Sequence, residues 1–214
     1  MFFNQSHSEL LEEIMRLRRD VRGHLFTSEP VSEEEIEQLL YCATLAPSVG
    51  FSQPWSFVVV RDLDTRKKIH ASFSIENNKA ASKFTGDKQA KYQQLKLEGI
   101  LEAPVNLAVF YQPSKFPVLG QTSMDKMGEY SVVCAIQNMW LMARSMNLGM
   151  GWVSILDPDV VKQALAVPID FQLIGYLCIG YVKEFYSKPE LERKNWAARK
   201  SAEQIIHYER FKGG

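Results

Sequence analysis

The chain has no excess of charge of either sign, because 25 lysines and arginines balance 25 aspartates and glutamates among its 214 residues. A protein without net charge has no overall field that would concentrate nucleic acid or an anionic membrane at its surface. We therefore expect neither nucleic acid nor a membrane as a partner. Function is instead expected in a local site for a small-molecule substrate.

Cysteine and histidine are too few and too scattered for a disulfide framework or a metal site. Cys42, Cys134 and Cys178 are far apart, lie in apolar settings and show no C-x-x-C spacing, so we expect reduced residues of the core. The four histidines show no ligand spacing such as H-x-x-x-H. No metal site is predicted.

We expect neither a secretory leader nor a membrane span. Residues 1–8 do not run from charged to apolar as a leader does. The longest apolar region, 130–152, is interrupted by Gln137, Asn138 and Arg144, which a lipid-exposed span would disfavour. Both absences favour a cytoplasmic protein.

The glycine-rich turn of a Rossmann dinucleotide site is absent as well. Gly149 and Gly151 lead into Trp152 and β-branched residues rather than into a helix, so a nicotinamide site is not supported. Strand and helix patterns interleave in an order that favours an α+β fold, a mixed β-sheet sandwiched by helices. Since 46% of the residues are hydrophobic, one substantial core is possible, and we expect a single domain over residues 1–214.

Capping signals and periodicity predict the elements of this fold. Ser8 is the expected N-cap of a first helix ending near Arg19, and Ser32 with Glu35 predicts a capping box for a helix through about Ala46. The other expected helices cover residues 65–84, 88–101, 130–147 and 158–165, and the expected strands cover residues 56–61, 104–111, 149–156 and 172–182.

Three of these regions carry further expectations. The helix at 130–147 is apolar nearly all round, which indicates a buried helix or one at a subunit interface. Residues 112–126 lack periodicity, which is typical of a mobile loop or lid. The tail at about 190–214 has no core-sized apolar run, so we expect it to wrap a neighbour.

Arg18, Arg19 and Arg22 stand within five residues, with Asp20 among them. The first helix would deliver them at its C-terminal end, where a phosphate needs side-chain cations rather than helix N–H groups. A planar guanidinium can donate two parallel hydrogen bonds to phosphate, which a lysine cannot. The alternatives are a solvated helix end for the arginines and an ion pair with Arg19 or Arg22 for Asp20.

A second polar segment, 46–55, lies between a helical pattern and the apolar run 57–60. Ser48 and Gln53 stand at this boundary, where binding sites are commonly built, and Pro54 with Trp55 restricts the backbone around them. Their hydroxyl and amide groups could hydrogen-bond a ligand. Alternatively, the Gln53 amide could stabilise the turn.

Five motifs together resemble the 5,6-dimethylbenzimidazole synthases, a branch of the flavin-binding nitroreductase superfamily. They are RRDVR at 18–22, APSVGFSQPW at 46–55, LKLEGI at 95–100, AIQNMWLMAR at 135–144 and MGWVSI at 150–155. General nitroreductases share the arginine opening and the Gln-Pro-Trp turn, so Asp20, LKLEGI and GWVSI narrow the resemblance to this branch. Ordinary nitroreductases have asparagine where Phe51 stands here, and the synthases replace it similarly.

The resemblance implies a set of FMN-binding positions: Arg18, Arg19, Asp20, Val21, Arg22, Ser48, Gln53, Gly151, Trp152, Ser154 and Arg199. Asp20 and Ser154 are the implied catalytic residues. General flavin reductases commonly have a serine at the position of Asp20, and its hydroxyl donates a hydrogen bond to the phosphate. An aspartate there does not help phosphate binding, which indicates chemistry. Gly151 would let the backbone approach a planar ring. For Ser154 the alternative is a solvent-facing serine, and for Trp152 it is a core residue.

The resemblance further implies an enzyme that uses O2 to fragment reduced FMN, which is consumed as a substrate. The products are 5,6-dimethylbenzimidazole, the lower ligand of vitamin B12, and erythrose 4-phosphate, and a separate flavin reductase supplies the reduced FMN. The family also implies a homodimer with sites completed by both chains and a C-terminal extension that wraps the partner. Two alternatives stay open: a conventional NAD(P)H-dependent nitroreductase or quinone reductase, and a flavin-binding module without catalysis.

Overall fold

The computed structural model describes residues 2–211, so the ends of the expected domain 1–214 and of the tail 190–214 lie outside the described residues. The helices of the described part are α1 (Gln5–Leu17), α2 (Glu33–Thr44), α3 (Leu63–Ala81), α4 (Gly86–Gln93), α5 (Met127–Ser145), α6 (Pro158–Ala164), α7 (Glu190–Arg193) and α8 (Ala202–Ile205). Its strands are β1 (Trp55–Val60), β2 (Val105–Tyr111), β3 (Leu148–Val153) and β4 (Gln172–Tyr181).

The four strands form one sheet in the order β1-β2-β4-β3, and each neighbouring pair is antiparallel. Every residue of β2 is buried. Parallel pairing, which a mixed sheet requires, is limited among residues 2–211 to one bridge between Asp20 and Met150. This bridge attaches the segment after α1 to the β3 edge of the sheet.

Helices cover both faces of the sheet, which confirms the expected α+β sandwich. Since alternate residues of a strand point to opposite faces, β2 contributes to two hydrophobic clusters. Leu107 and Val109 pack with α2 and α5, whereas Ala108 and Phe110 pack with α3 and α6. Val21 belongs to the second cluster.

The structure confirms the predicted N-cap of α2 and corrects that of α1. α2 has the predicted capping box, with the Glu35 N–H donating to Ser32 Oγ at 3.2 Å and the Ser32 N–H donating to Glu35 Oε2 at 2.8 Å. The prediction of Ser8 as the first N-cap is wrong, because α1 begins at Gln5 and is capped by Asn4. Asn4 offers the same kind of acceptor earlier in the chain.

The helix predicted over 88–101 ends early, because the LKLEGI motif turns inward. α4 ends at Gln93, and the motif continues as irregular chain. The Glu98 side chain is only 2% exposed, accepts a hydrogen bond from the Ile100 N–H at 2.7 Å and pairs with Lys96 at 2.6 Å. A buried carboxylate needs such partners, and a continued polar helix would not provide them.

The apolar helix α5 is buried on one side only. Ala135, Ile136 and Met139 are fully buried, whereas Tyr130 and Val133 are 50% and 40% exposed.

The prediction that all three cysteines belong to the core is confirmed only in part. Cys178 is buried in β4 as expected, Cys42 is partly buried, and Cys134 is exposed on α5.

The loop 112–126 contains no helix or strand, as predicted. The tail packs on its own chain through Trp196, whose ring lies 5.3 Å from that of Phe84 and 6.2 Å from that of Tyr92. Its wrapping of a second subunit stays a prediction. Across residues 2–211, every helix is too short or too polar to cross a bilayer.

Candidate active site

The segment 18–22 is fixed against β3 by its backbone. The Val21 N–H donates to the Met150 carbonyl at 3.1 Å, and the Val21 side chain is 1% exposed. A Cβ atom on Gly151 would lie 2.0 Å from the Val21 carbonyl oxygen, so only glycine permits this approach. In this structure Gly151 is therefore used for backbone packing, and its role toward a flavin ring stays a prediction.

Asp20 is held between the strand β3 and an arginine. Its Oδ1 accepts a hydrogen bond from the Trp152 N–H at 3.0 Å, and its Oδ2 pairs with Arg22. Burial raises the pKa of Asp20, against the lowering effects of Arg22, the Trp152 N–H and Arg18. The carboxyl group stays accessible, since 36% of the Asp20 side chain is exposed and the residue lines two pockets. Asp20 therefore holds a proton to higher pH than an ordinary aspartate.

Two of the predicted phosphate-binding arginines are occupied by the chain itself. The Arg22 guanidinium, besides pairing with Asp20, donates to the carbonyls of Leu97 at 3.0 Å and Trp152 at 3.1 Å. This ion pair is one of the alternatives that the sequence left open.

Arg19 is occupied in a similar way. Its Nε donates to the Tyr186 carbonyl at 2.8 Å, and its terminal nitrogens donate to the carbonyls of Arg16, Arg18 and Ser187. Arg19 and Arg22 thus fasten the segment to the rest of the fold.

Arg18 and Arg199 are different, because neither guanidinium has a hydrogen-bond or ion-pair partner in the described part of the chain. Arg18 lies 4.7 Å from the centroid of the Trp140 ring, which orients it without using its donors. Burial lowers the pKa of Arg18, and the charge of Arg199 lowers it further. Burial and the charges of Arg18 and Arg199 likewise lower the pKa of Arg19. These cations repel one another, so a bound anion would stabilise them.

A pocket of about 600 Å³ opens at these arginines. Its lining includes five cations and three carboxylates: Arg16, Arg18, Arg19, Lys188 and Arg199, with Glu12, Asp20 and Glu192. The excess of positive charge and the two free guanidinium groups fit a phosphate monoester. The resemblance had pointed to Arg199, but the tail residues Lys188 and Glu192 carried no recognisable signal in the sequence.

Asp20 also lines a second, smaller pocket of about 140 Å³. Residues 95–97 of the LKLEGI motif and residues 189–191 of the tail complete its lining. Lys96 belongs to the helix that the sequence predicted over 88–101. Lys96 does line this pocket, but from irregular chain.

The predicted turn residues Ser48 and Gln53 lie elsewhere. Ser48 Oγ accepts a hydrogen bond from the Gln53 N–H at 3.0 Å, and the backbone has positive φ at Gly50, Phe51 and Gln53. Gln53 is exposed. It lines a separate pocket of about 430 Å³ with Tyr111 and the loop 112–126.

The single chain does not bring this turn and the arginines together. Near the start of α5, the Val49 N–H donates to Ser131 Oγ at 3.1 Å, whereas Trp140 Nε1 donates to the Arg19 carbonyl at 3.3 Å. Nine residues separate Ser131 from Trp140, which is roughly 14 Å along the helix axis. The two halves of the predicted flavin site therefore line different pockets.

Trp152 and Ser154 come from the end of β3, and of the two only Trp152 contacts Asp20. Trp152 contributes its backbone, because its N–H binds Asp20 and its carbonyl accepts from Arg22. Its ring is partly buried, 6.2 Å from that of Trp140. Ser154 follows the end of β3 and is exposed, and it lines neither of the pockets that Asp20 faces.

Comparisons with known proteins cover most of the chain. The model of the nitroreductase family matches residues 15–181. The chain is 45% identical over 200 residues to the 5,6-dimethylbenzimidazole synthase of Rhodospirillum rubrum, covering 92% of this chain and 94% of that protein. It is 38% identical over 198 residues to the 5,6-dimethylbenzimidazole synthase of Rhodobacter capsulatus, covering 92% and 95%.

A solved structure of oxidized iodotyrosine deiodinase bound to FMN and 3-iodo-L-tyrosine has the same fold. It superposes with a TM-score of 0.75 at 21% identity, covering 94% of this chain and 100% of that one. At this identity the likeness concerns the fold alone.

Proposed function

The chain belongs to the nitroreductase family, among its 5,6-dimethylbenzimidazole synthases, and from that premise we propose that it uses O2 to break reduced FMN into 5,6-dimethylbenzimidazole and erythrose 4-phosphate. Relatives at 36–45% identity carry the synthase name, which favours this function over that of a conventional nitroreductase. Reduced FMN is then a substrate, and a separate flavin reductase supplies it.

The observation that carries the proposal is the position of the Asp20 carboxyl group on the wall of a cationic pocket. Arg18 and Arg199 have free donors for the phosphate of FMN, and Arg16 and Lys188 add positive charge. A carboxylate beside them weakens phosphate binding, so its presence is better explained by chemistry than by affinity.

In this proposal Asp20 moves protons. Burial raises its pKa, which brings the group closer to the pH at which an acid or base can both gain and lose a proton. The Trp152 N–H and Arg22 fix its two oxygens. The dihydroflavin supplies the electrons that reduce O2, and this chain's residues bind the phosphate, orient the sugar chain and hold the proton at Asp20. Ser154 offers an exposed hydroxyl two residues beyond Trp152.

We propose that the site is completed by a second copy of the chain. The helices α2 and α5 expose Tyr41, Leu45, Tyr130 and Val133, and the adjacent turn exposes 81% of Phe51. A second subunit on this surface would cover these apolar side chains and could bring its turn 48–53 to the arginines of the first. Light scattering after size exclusion should give the mass of a dimer, and a monomer would contradict this part of the proposal.

The direct test of function uses purified protein and chemically reduced FMN in air, with mass spectrometry of the products. We expect 5,6-dimethylbenzimidazole to accumulate in proportion to the enzyme. Intact oxidised FMN at every enzyme concentration would contradict the synthase function and would indicate a flavin-binding module. Steady NAD(P)H consumption with intact FMN would indicate a conventional reductase.

A further inference from the structure

The smaller pocket beside Asp20 contains a second carboxyl group, that of Glu190. This pocket of about 140 Å³ is lined by Asp20, Arg22, Leu95, Leu97, Glu190 and Leu191, among others. The two carboxyl groups come from distant parts of the sequence, because Asp20 follows α1 and Glu190 begins α7 in the tail. Folding therefore creates a pair of acids that no local motif encodes.

Glu190 has no partner of its own in this pocket. Its Oε2 atom is buried and accepts no hydrogen bond from any described residue. A buried acceptor without a donor costs free energy unless a ligand satisfies it. The position therefore has a role that its own packing does not explain.

The cations that line the pocket are already engaged elsewhere. Lys96 Nζ pairs with Glu98 at 2.6 Å and with Glu102 at 2.8 Å. Arg22 pairs with Asp20 and donates to two backbone carbonyls. Neither one forms an ion pair with Glu190, so the charge of Glu190 is left to act on its neighbour.

We propose that Glu190 is a positioning residue for the reaction and acts through Asp20 as the second carboxyl group of the site. The inference rests on the proposed function, since it assigns to Glu190 the control of the proton that Asp20 transfers.

The charged groups that face Asp20 support this role. Arg22 in its own segment and Arg18 at the end of α1 lower the pKa of Asp20, whereas Glu190 from α7 raises it. Lys96 faces the same pocket from the irregular chain after α4. From β3 it is the neutral Trp152 N–H that reaches the carboxyl group. Glu190 therefore opposes the two arginines and helps Asp20 to retain its proton.

The test measures the proton on Asp20 directly, without flavin. Carboxyl ¹³C NMR of the full chain, with Asp20→Asn to assign the signal, gives the titration midpoint of Asp20. We expect Glu190→Gln to move this midpoint to lower pH, since it removes a neighbouring negative charge. Glu190→Asp should restore most of the shift, and the exposed Glu184→Gln serves as the charge-matched control and should leave the midpoint unchanged.

Turnover supplies the second readout. With reduced FMN, Glu190→Gln should lower benzimidazole formation by roughly tenfold or less and should shift its pH profile, because the residue acts through Asp20 rather than on the substrate. An Asp20 midpoint that is the same in Glu190→Gln and wild type would overturn the inference, whether or not turnover falls. If wild type forms no benzimidazole, the proposed function fails, whereas the NMR titration still decides whether Glu190 controls Asp20.

Discussion

The segment 18–22 is held by its own chain at almost every polar group, whereas the turn 48–53 leaves several of its groups open. In the segment, Asp20, Arg19 and Arg22 all have partners that lie far away in the sequence. In the turn, Gln53 is exposed and the buried Ser52 Oγ has no partner among the described residues. Polar groups that are paired within one chain are fixed without a ligand, whereas open groups are left for a ligand or a second subunit.

The largest expected effect comes from removing the Asp20 carboxyl group of the segment 18–22. Asp20→Asn keeps an oxygen that can accept from the Trp152 N–H, so the fold and FMN affinity should be retained. Benzimidazole formation should fall by about 100-fold or more, the usual contribution of a general acid or base. The checks are product formation by mass spectrometry and FMN binding by fluorescence titration. Unchanged product yield would exclude Asp20 from proton transfer.

The next largest effect is on the free energy of unfolding, and it differs between Arg22 and Arg18. Arg22→Gln removes an ion pair and two hydrogen bonds from a side chain that is 16% exposed, and should cost about 2–3 kcal/mol. Arg18→Gln removes a single contact with the Trp140 ring and should cost less than about 1 kcal/mol. Denaturant unfolding of both variants measures the difference. Equal losses of unfolding free energy would mean that Arg18 contributes to the stability of the fold as much as Arg22 does.

A smaller effect on stability is expected from a substitution in the turn 48–53. Gly50 and Gly86 both have φ near +55°, but a Cβ on Gly50 would lie 2.7 Å from the Leu119 carbonyl, whereas a Cβ on Gly86 meets nothing within 4 Å. Gly86→Ala should therefore cost about 1 kcal/mol from backbone strain alone, and Gly50→Ala about 1 kcal/mol more. Thermal unfolding compares the two. If their costs are equal, the loop 112–126 does not hold the turn in place.

The smallest expected effect is a pH dependence of stability that comes from Asp20. Because burial raises the pKa of Asp20 in the folded state, its contribution is fully present below the ordinary aspartate pKa and is lost as pH rises through the folded value. The free energy of unfolding of wild type should therefore fall relative to that of Asp20→Asn over this interval. A difference that stays constant with pH would show that the pKa of Asp20 is not raised.

The sequence predicted those features that depend on neighbouring residues. The capping box of Ser32 and Glu35 uses groups three residues apart, and the strand predicted over 104–111 depends on successive residues, so both could be recognised in advance. The arginine motif likewise predicts an anion site at the end of α1, which stays a prediction.

The features that the sequence did not predict depend on distant partners. Which arginine is free is decided by the carbonyls of Leu97 and Tyr186, far from the motif along the chain. The LKLEGI segment failed as a helix because Glu98 is buried and paired with Lys96 and the Ile100 N–H, an arrangement that helical periodicity does not reveal. Glu190 could not be recognised, because nothing in its local sequence indicates that it faces Asp20.

The central claim is that Arg18 binds the phosphate of the flavin, whereas Arg19 and Arg22 hold the fold. Isothermal titration with FMN and with riboflavin, which lacks the phosphate, tests it in wild type and in Arg18→Gln. We predict that wild type prefers FMN and that this preference falls about tenfold or more in the variant, since a charge-assisted hydrogen bond contributes about 1.5–3 kcal/mol. The affinity for riboflavin should be unchanged. An undiminished preference for FMN in Arg18→Gln would contradict the claim.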